Sequence, residues 1–484
     1  MRSSRTSLLT TTLTTALATA LLTTLPTASA TAAPAKYADD FDGDGYRDLA
    51  IGMPEQTVGG KRLAGSVLVT FGSAKGLTSR KIHVTQNSTG VPGAAESQDR
   101  FGSALSSGDL DGDGYADLVV SSDSESVGGQ TARGMVTVLW GGARPFRSGT
   151  ALAASPLSGR DDFLGNDVAV GDFVGDAAPD IAVADLSSVW LYEGGISRTA
   201  TPAPVRAVVQ GHDGIGIAQL AAGDFTGGGK DELAVTGPAA TLVYAAGNAS
   251  TPTVEDFYNR RTLIGGESVA TGDLDGDGRD DLAIGRFLFH IGNGLKDPSA
   301  KAGYVMVHYG SASVAGGLDR RRHVYHQGTS GIPGGNEAED LFGASLSIGD
   351  VTGDGRAELA MGVPYESLPR AERGGDVLLL RGGPNGLTTA GAKRFSQNTP
   401  GIPGTAEHND EFGSQLRLVD FDRDRKADLA VSAPYEDPYR NEGSGAVWQL
   451  HGTGSGLTVK GADVFGPKDY GIPRGSGLGI AFNR

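Results

Sequence analysis

An all-β ring of seven blades, a β-propeller, is the fold this sequence predicts, and three observations predict it. Acidic nine-residue loops recur along the chain, starting at Asp40, Asp109, Asp172, Asp224, Asp273, Asp350 and Asp420. Short apolar runs with the two-residue alternation of strands follow them, as at Val67/Val69, Val136/Val138, Val305/Val307 and, more loosely, Ala446/Trp448. The 76 glycines have no collagen-like period, and no long helical periodicity appears beyond the first 30 residues. That combination means many tight turns between short strands. A unit repeated every few tens of residues buries its apolar face against its neighbours, and about four strands per unit arranged radially make a propeller.

The elements follow in order along the chain. Residues 1–30 have the layout of a secretory signal: Arg2 and Arg5, a Leu/Ala/Thr-rich stretch from Leu8 to Leu25, then Ala28-Ser29-Ala30 as a small-residue cleavage site. Residues 31–484 are then expected to form a single propeller domain, with no later segment apolar enough to span a bilayer. The second unit shows the pattern most completely. Phe101-Gly102, Leu105 and Gly108 precede the loop Asp109–Asp117; Leu118-Val119-Val120 follow, and Gly134, Val136, Val138 and Gly141 close the unit. Loop spacing runs from 49 residues (Asp224 to Asp273) to 77 (Asp273 to Asp350), so the differences belong to surface connections. The first loop lacks the preceding Phe-Gly strand, whereas Leu478-Gly479-Ile480-Ala481-Phe482 is a lone copy of it near residue 484. The C-terminal strand is therefore expected to complete the first blade, and deleting residues 476–484 to destabilise the array.

The formal charge of −16 becomes −18 once Arg2 and Arg5 leave with the signal. Such a surface excludes nucleic acid, whose phosphates require Lys and Arg. Absence of Cys excludes disulfides and thiolate metal sites. The Asp-x-Asp-Gly-Asp-Gly-x-x-Asp string offers oxygen ligands at its first, third, fifth and ninth positions, with glycines that permit the turn. The expected metal ligands are Asp40, Asp42, Asp44 and Asp48; Asp109, Asp111, Asp113 and Asp117; and Asp273, Asp275, Asp277 and Asp281. The sixth loop offers Asp350, Thr352, Asp354 and Glu358; the seventh offers Asp420, Asp422, Asp424 and Asp428, with Arg423 and Arg425 in the glycine positions. Asp172, Asp176 and Asp180 form a poorer set, because Val174 replaces a ligand, and Asp224, Thr226, Gly228 and Glu232 suit a plain turn. The cation expected is Ca²⁺, several per chain and structural, because carboxylates and carbonyls dominate in a flexible loop. An EF-hand is excluded: its bidentate Glu would fall at Ile51, Val120 or Ile284, inside apolar strands.

A second string, Gln-x-x-x-Gly-Ile/Val-Pro-Gly followed by Glu and Asp, runs from Gln86, Gln327 and Gln397 to the next Phe-Gly, with a partial copy at Gly471-Ile472-Pro473. Its simplest reading is a Pro-Gly turn that positions the next blade. No nucleophile elbow, His-Glu-x-x-His or phosphate loop is present, and no catalytic residue is assigned.

The units resemble FG-GAP repeats, the blades of the seven-bladed propeller of integrin α subunits that also occur in secreted bacterial proteins. Phe101-Gly102, Phe342-Gly343 and Phe412-Gly413 match the "FG"; Gly52-Met53-Pro54, Gly362-Val363-Pro364 and Ser432-Ala433-Pro434 match the "GAP". The third to fifth units depart from that pattern, their "GAP" proline being absent or displaced. The resemblance spans about residues 38–484. It implies a secreted, calcium-binding module for adhesion to an extracellular protein or glycan, monomeric, free in the medium or associated with the cell wall. The alternative expectation is an extracellular hydrolase or lyase acting on polysaccharide or ester substrates through propeller loops.

Overall fold

A computed structural model of the chain describes residues 35–153, 162–204, 206–209, 216–245, 258–287, 300–314, 316–436 and 443–484. The segment read as a signal lies outside the described residues. Among those residues the strands form seven four-stranded antiparallel sheets, the blades. Six blades take their strands consecutively, from Leu105–Gly108 in the second to Thr458–Phe465 in the seventh. The first combines Leu49–Met53, Ser66–Thr70 and Lys81–Val84 with Ala481–Phe482 from the far end of the chain. Ile51 pairs with Phe482 and Gly52 with Ala481, so the ring closes as the sequence predicts. Asn483 locks the seam. Its N–H donates to Ala50 O at 3.1 Å, its Oδ1 accepts the Ala50 N–H at 2.9 Å, and its amide reaches Ser107 Oγ at 3.2 Å in the second blade.

The innermost strands surround the axis. Ser106, Ala169, Ala221, Ala270, Ser347 and Arg417, each from a different blade, line one cavity of about 170 Å³ together with Arg484. Small and apolar side chains there let the inner strands approach closely. One charged network crosses the axis region: Arg47 Nε lies 2.6 Å and Arg417 Nη2 3.1 Å from the fully buried Asp39 carboxylate. Burial opposes the Asp39 charge, but the two guanidinium groups together hold its carboxyl below the usual range.

The core is distributed between blades. Val67, Val69 and Phe71 of the first blade pack with Leu105, Leu118 and Val120 of the second. The same two-blade pattern recurs where Val377 and Leu379 meet Leu416, Leu429 and Trp448. Strands buried on both faces explain why the second strands read as continuous apolar runs, such as Leu359–Val363. The single described helix, Pro467–Tyr470, starts on a proline at its first turn and ends at Gly471, whose φ of 58° is left-handed.

Candidate metal centres

Each acidic loop leads into the second strand of a blade, and in blades two to seven it joins the first strand to that second one. The loop at Asp109 begins after Leu105–Gly108 and ends on Asp117, the first residue of Asp117–Ser122. Antiparallel pairing puts all these loops on one face of the ring. Their backbone repeats closely. The fourth and sixth positions are left-handed in every case, from Gly43 and Gly45 (φ 73° and 86°) to Arg423 and Arg425 (φ 65° and 71°). The second position is a buried apolar knob: Phe41, Leu110, Phe173, Phe225, Leu274, Val351 and Phe421.

The acids divide into roles that residue type alone does not reveal. The first carboxylate caps the turn: Asp273 Oδ1 accepts the N–H groups of Gly276 and Asp277 at 2.7 and 3.1 Å, and Oδ2 that of Gly278 at 2.8 Å. The ninth is a clamp. Asp117 Oδ2 accepts the Leu110 N–H at 2.9 Å, and its Oδ1 accepts the Gly141 N–H at 2.7 Å, beyond the third strand. Asp48, Asp180 and Asp281 repeat both bonds. Burial pushes Asp48 up to about 9, Asp117 to about 8 and Asp281 to about 7, and no neighbouring cation offsets it fully. The fifth carboxylate faces outward: Asp44, Asp113, Asp277, Asp354 and Asp424 each accept the N–H two residues on.

The first, third and ninth residues converge. Asp40/Asp42/Asp48, Asp109/Asp111/Asp117 and Asp273/Asp275/Asp281 each place one oxygen per residue within 4.8 Å of the others. The fifth residues stand outside these triads. In each triad one buried oxygen lacks a partner: Asp40 Oδ1, Asp111 Oδ1 and Asp275 Oδ1. In the sixth loop Thr352 Oγ1 and Glu358 Oε1 are buried and unpaired as well. A buried, desolvated oxygen without a donor is costly, and several converging on one point suit a hard cation. The rim already holds a positive side chain. Arg198 bonds Asp111 and Asp113, both at 2.5 Å; Arg279 pairs with Asp277 at 2.7 Å and Arg381 with Asp354 at 3.3 Å. These partners take outward oxygens and leave the unpaired inner ones facing the loop.

The seventh loop differs. Asp422 and Asp428 come together with His451, whose Nδ1 lies 3.3 Å from Asp428 Oδ1. Asp420 caps the turn through Asp424 and Arg425 N–H, and Asp424 pairs with Lys426. In the third loop Asp180 Oδ2 is occupied by both Phe173 and Val174 N–H groups.

Four segments, 101–139, 265–286, 342–380 and 412–448, match the family model described as FG-GAP repeat. The chain carries FG-GAP repeats. Mouse integrin alpha-IIb is 34% identical over 152 residues, which is 30% of this chain and 14% of that protein. Rat phosphatidylinositol-glycan-specific phospholipase D is 30% identical over 150 residues, 30% of this chain and 17% of that protein. The chain thus spans less than a fifth of the length of these relatives. Among solved structures, an Agrocybe aegerita lectin, described as recognising non-reducing terminal N-acetylglucosamine, superposes with a TM-score of 0.51. It is 14% identical, and the superposition covers 90% of this chain and 94% of that one.

The two halves of the FG-GAP motif touch each other. A side chain on Gly52, of the first "GAP", would sit 2.1 Å from the carbonyl oxygen of Gly102, of the next "FG". Gly362 meets Gly413 O at the same distance, and Gly285 meets Gly343 O at 2.3 Å. Adjacent blades therefore pack backbone to backbone at these points, and only glycine fits. His451 was not assigned to any site by its sequence, because a lone histidine at a strand end carries no motif.

Proposed function

We propose that the chain is a secreted propeller stabilised by Ca²⁺ and used as a binding or adhesion module for an extracellular protein or glycan. The observation that carries the metal part is the set of unpaired buried oxygens at Asp40, Asp111, Asp275, Thr352 and Glu358, one or more in each of four loops. The ligands are the three Asp triads at the first, second and fifth loops, then Asp350, Thr352, Asp354 and Glu358, then Asp422 and Asp428 with His451. Asp44, Asp113 and Asp277 contribute from the rim. The module role is supported by the repeats shared with integrin alpha-IIb. Export is supported by the basic, apolar and small-residue layout of residues 1–30, and no helix among the described residues is long and apolar enough to cross a membrane.

The test is a calorimetric Ca²⁺ titration of the chelated protein, paired with binding assays in Ca²⁺ against a panel of glycans and extracellular matrix proteins. Terminal N-acetylglucosamine belongs in the panel. Several ions bound per chain, with ligand capture that chelator abolishes, is the expected result. No bound ion would sink the metal assignment. Turnover of polysaccharide or ester substrates by the pure protein would replace the module reading with an enzyme.

A further inference from the structure

A second acidic array lies on the face opposite the nine-residue loops. It uses residues that flank the Pro-Gly turns. Gln86, Glu96, Asp99 and Glu125 form one set; Gln327, Glu337, Asp340 and Glu366 a second; Gln397, Glu407, Asp410 and Glu436 a third. In each, the Gln amide donates to the last Glu, at 2.6, 2.7 and 2.5 Å. In each, the Asp accepts the N–H of the first Glu, at 2.5, 3.1 and 2.5 Å. The first Glu and the Asp lie on the connection from the preceding blade, and the last Glu follows the second strand of the next. The Gln–Glu bonds therefore cross a blade junction, while the Asp–Glu bonds fold the connection itself. They give the Pro-Gly segments a role that the turn reading did not contain.

The second set is the most complete. Glu337, Asp340 and Glu366 bring one oxygen each within 4.8 Å of the others. Asp376 stands behind them, 2% exposed, with Oδ2 held by Arg394 and Oδ1 without any partner. Gln327 is 5% exposed; its Nε2 reaches Glu366, and its Oε1 is unpaired. The same amide oxygen is unpaired in Gln86 and Gln397. Four carboxylates thus face one inner guanidinium, Arg394, which lies 2.9 Å from Glu366 Oε1. A second, Arg373, stacks over Tyr365 on the cleft wall, 4.3 Å from the ring centroid. The cleft above the cluster, about 260 Å³, is lined by Glu337, Asp340, Tyr365, Glu366 and Arg373 and gives an ion a way in.

We propose that Glu337, Asp340 and Glu366, with the Gln327 amide oxygen, bind a divalent cation of the Ca²⁺ class at the junction of the fifth and sixth blades. The donors are all oxygen, three of them anionic, which is the chemistry of a hard cation. The ion joins the incoming connection to the turn after the second strand, on the face away from the nine-residue loops. The sets at Glu125 and Glu436 repeat the arrangement at two further junctions. None of this depends on the nine-residue loops being filled.

The experiment uses the full chain. Bound Ca²⁺ is counted by atomic emission after equilibrium dialysis, for wild type and for Asp340→Asn/Glu366→Gln. The double variant is expected to hold one ion fewer. An unchanged count overturns the proposal. The second readout is local: Tb³⁺ emission excited through tyrosine. Tyr365 is adjacent to Glu366 and supplies no ligand oxygen in the proposal, so Tyr365→Phe keeps the proposed ligands and is expected to lose part of the emission at an unchanged ion count. Emission equal to wild type overturns the proposal, even where the double variant fails to fold and whatever the state of the loop sites.

Discussion

The fourth and sixth loops have the same residue types at three of four ligand positions, yet their chemistry differs. Asp224, Thr226 and Glu232 correspond to Asp350, Thr352 and Glu358; only the fifth position changes, Gly228 against Asp354. The backbones agree, with φ of 71° and 78° at Gly227 and Gly229 and 71° and 83° at Gly353 and Gly355. In the fourth loop Thr226 Oγ1 bonds Asp224 Oδ1 at 3.3 Å and Glu232 Oε1 at 3.2 Å, so the loop closes on itself. In the sixth, Thr352 Oγ1 and Glu358 Oε1 are both buried and unpaired. The loop backbone and its capacity for a cation are therefore separable properties. The first is built by caps, glycines and the clamp; the second depends on which oxygens the loop leaves free.

The sharpest way to break that separation is to remove the clamp. Asp117→Ala and Asp180→Ala strip the buried bonds that tie the acidic loop to the segment after the third strand, one in a loop with a complete acid set and one in a loop without. Each leaves at least two backbone N–H groups unpaired, and a loss of roughly 3–4 kcal/mol is expected in both, with or without Ca²⁺. Denaturant unfolding in Ca²⁺ and in chelator measures it. A harmless Asp180→Ala would mean that the clamp serves only the metal.

Converting one loop into the other comes next. Asp354→Gly gives the sixth loop the composition of the fourth, and the Thr352 hydroxyl is expected to close onto Asp350 and Glu358. The variant should lose one bound ion and about 2–3 kcal/mol of the Ca²⁺-dependent stabilisation at an ion concentration of roughly a hundred times Kd, with stability in chelator little changed. Thermal unfolding with and without Ca²⁺ reads both. An unchanged calcium response would show that the sixth loop behaves like the fourth despite its free oxygens.

The pH response separates the same two classes. Carboxyls whose folded pKa is raised contribute stability that is complete below their unfolded value near 4 and is lost as pH rises through the folded value. Asp281 and Glu358 stand at about 7, Asp117 at about 8, and Asp180 and Glu232 at about 7, all pushed up first by burial. The chelated protein should therefore lose stability as pH rises from about 4 to about 8, by on the order of 1 kcal/mol per pH unit for each of these groups. Ca²⁺ should flatten the contribution of Asp117, Asp281 and Glu358 and leave that of Asp180 and Glu232. Equal slopes in Ca²⁺ and chelator would contradict metal binding by the first group.

Much of this architecture was legible in the residues. The Val136/Val138 alternation marks a strand because side chains on a strand alternate faces, and the missing Phe-Gly before Asp40 marks the seam because each blade needs four strands. That the first, third and ninth acids share a loop was legible because the spacing is local to nine residues, whereas the outward turn of the fifth acid, expected as a ligand beside them, was not. The Gln327–Glu366 bond was not, because its partners are 39 residues apart in different blades. The Asp39–Arg417 pair is more distant still, 378 residues along the chain. Gly228 against Asp354 separated the fourth loop from the sixth in the sequence, but which oxygens each Thr hydroxyl reaches was not legible there.

The smallest effect tests the backbone alone. The seventh loop keeps the shared turn although Arg423 and Arg425 occupy positions that are glycine in the first and second loops, at φ of 65° and 71°. A non-glycine residue held there is strained by roughly 1 kcal/mol, partly offset because glycine loses more entropy on folding. Arg423 recovers some of that cost by placing its guanidinium 5.0 Å from the Tyr46 ring centroid in the first blade. The Arg425 backbone N–H bonds Asp420 Oδ2 at 2.9 Å, a bond that glycine would keep. Arg425→Gly is therefore expected to stabilise the protein by about 0.5 kcal/mol, and Arg423→Gly to be close to neutral. Thermal unfolding in chelator, where no ion reinforces the turn, is the measurement. Destabilisation by Arg425→Gly would show that the seventh loop has relaxed away from the shared backbone, and would remove the seventh loop from the set in which backbone and metal capacity vary independently.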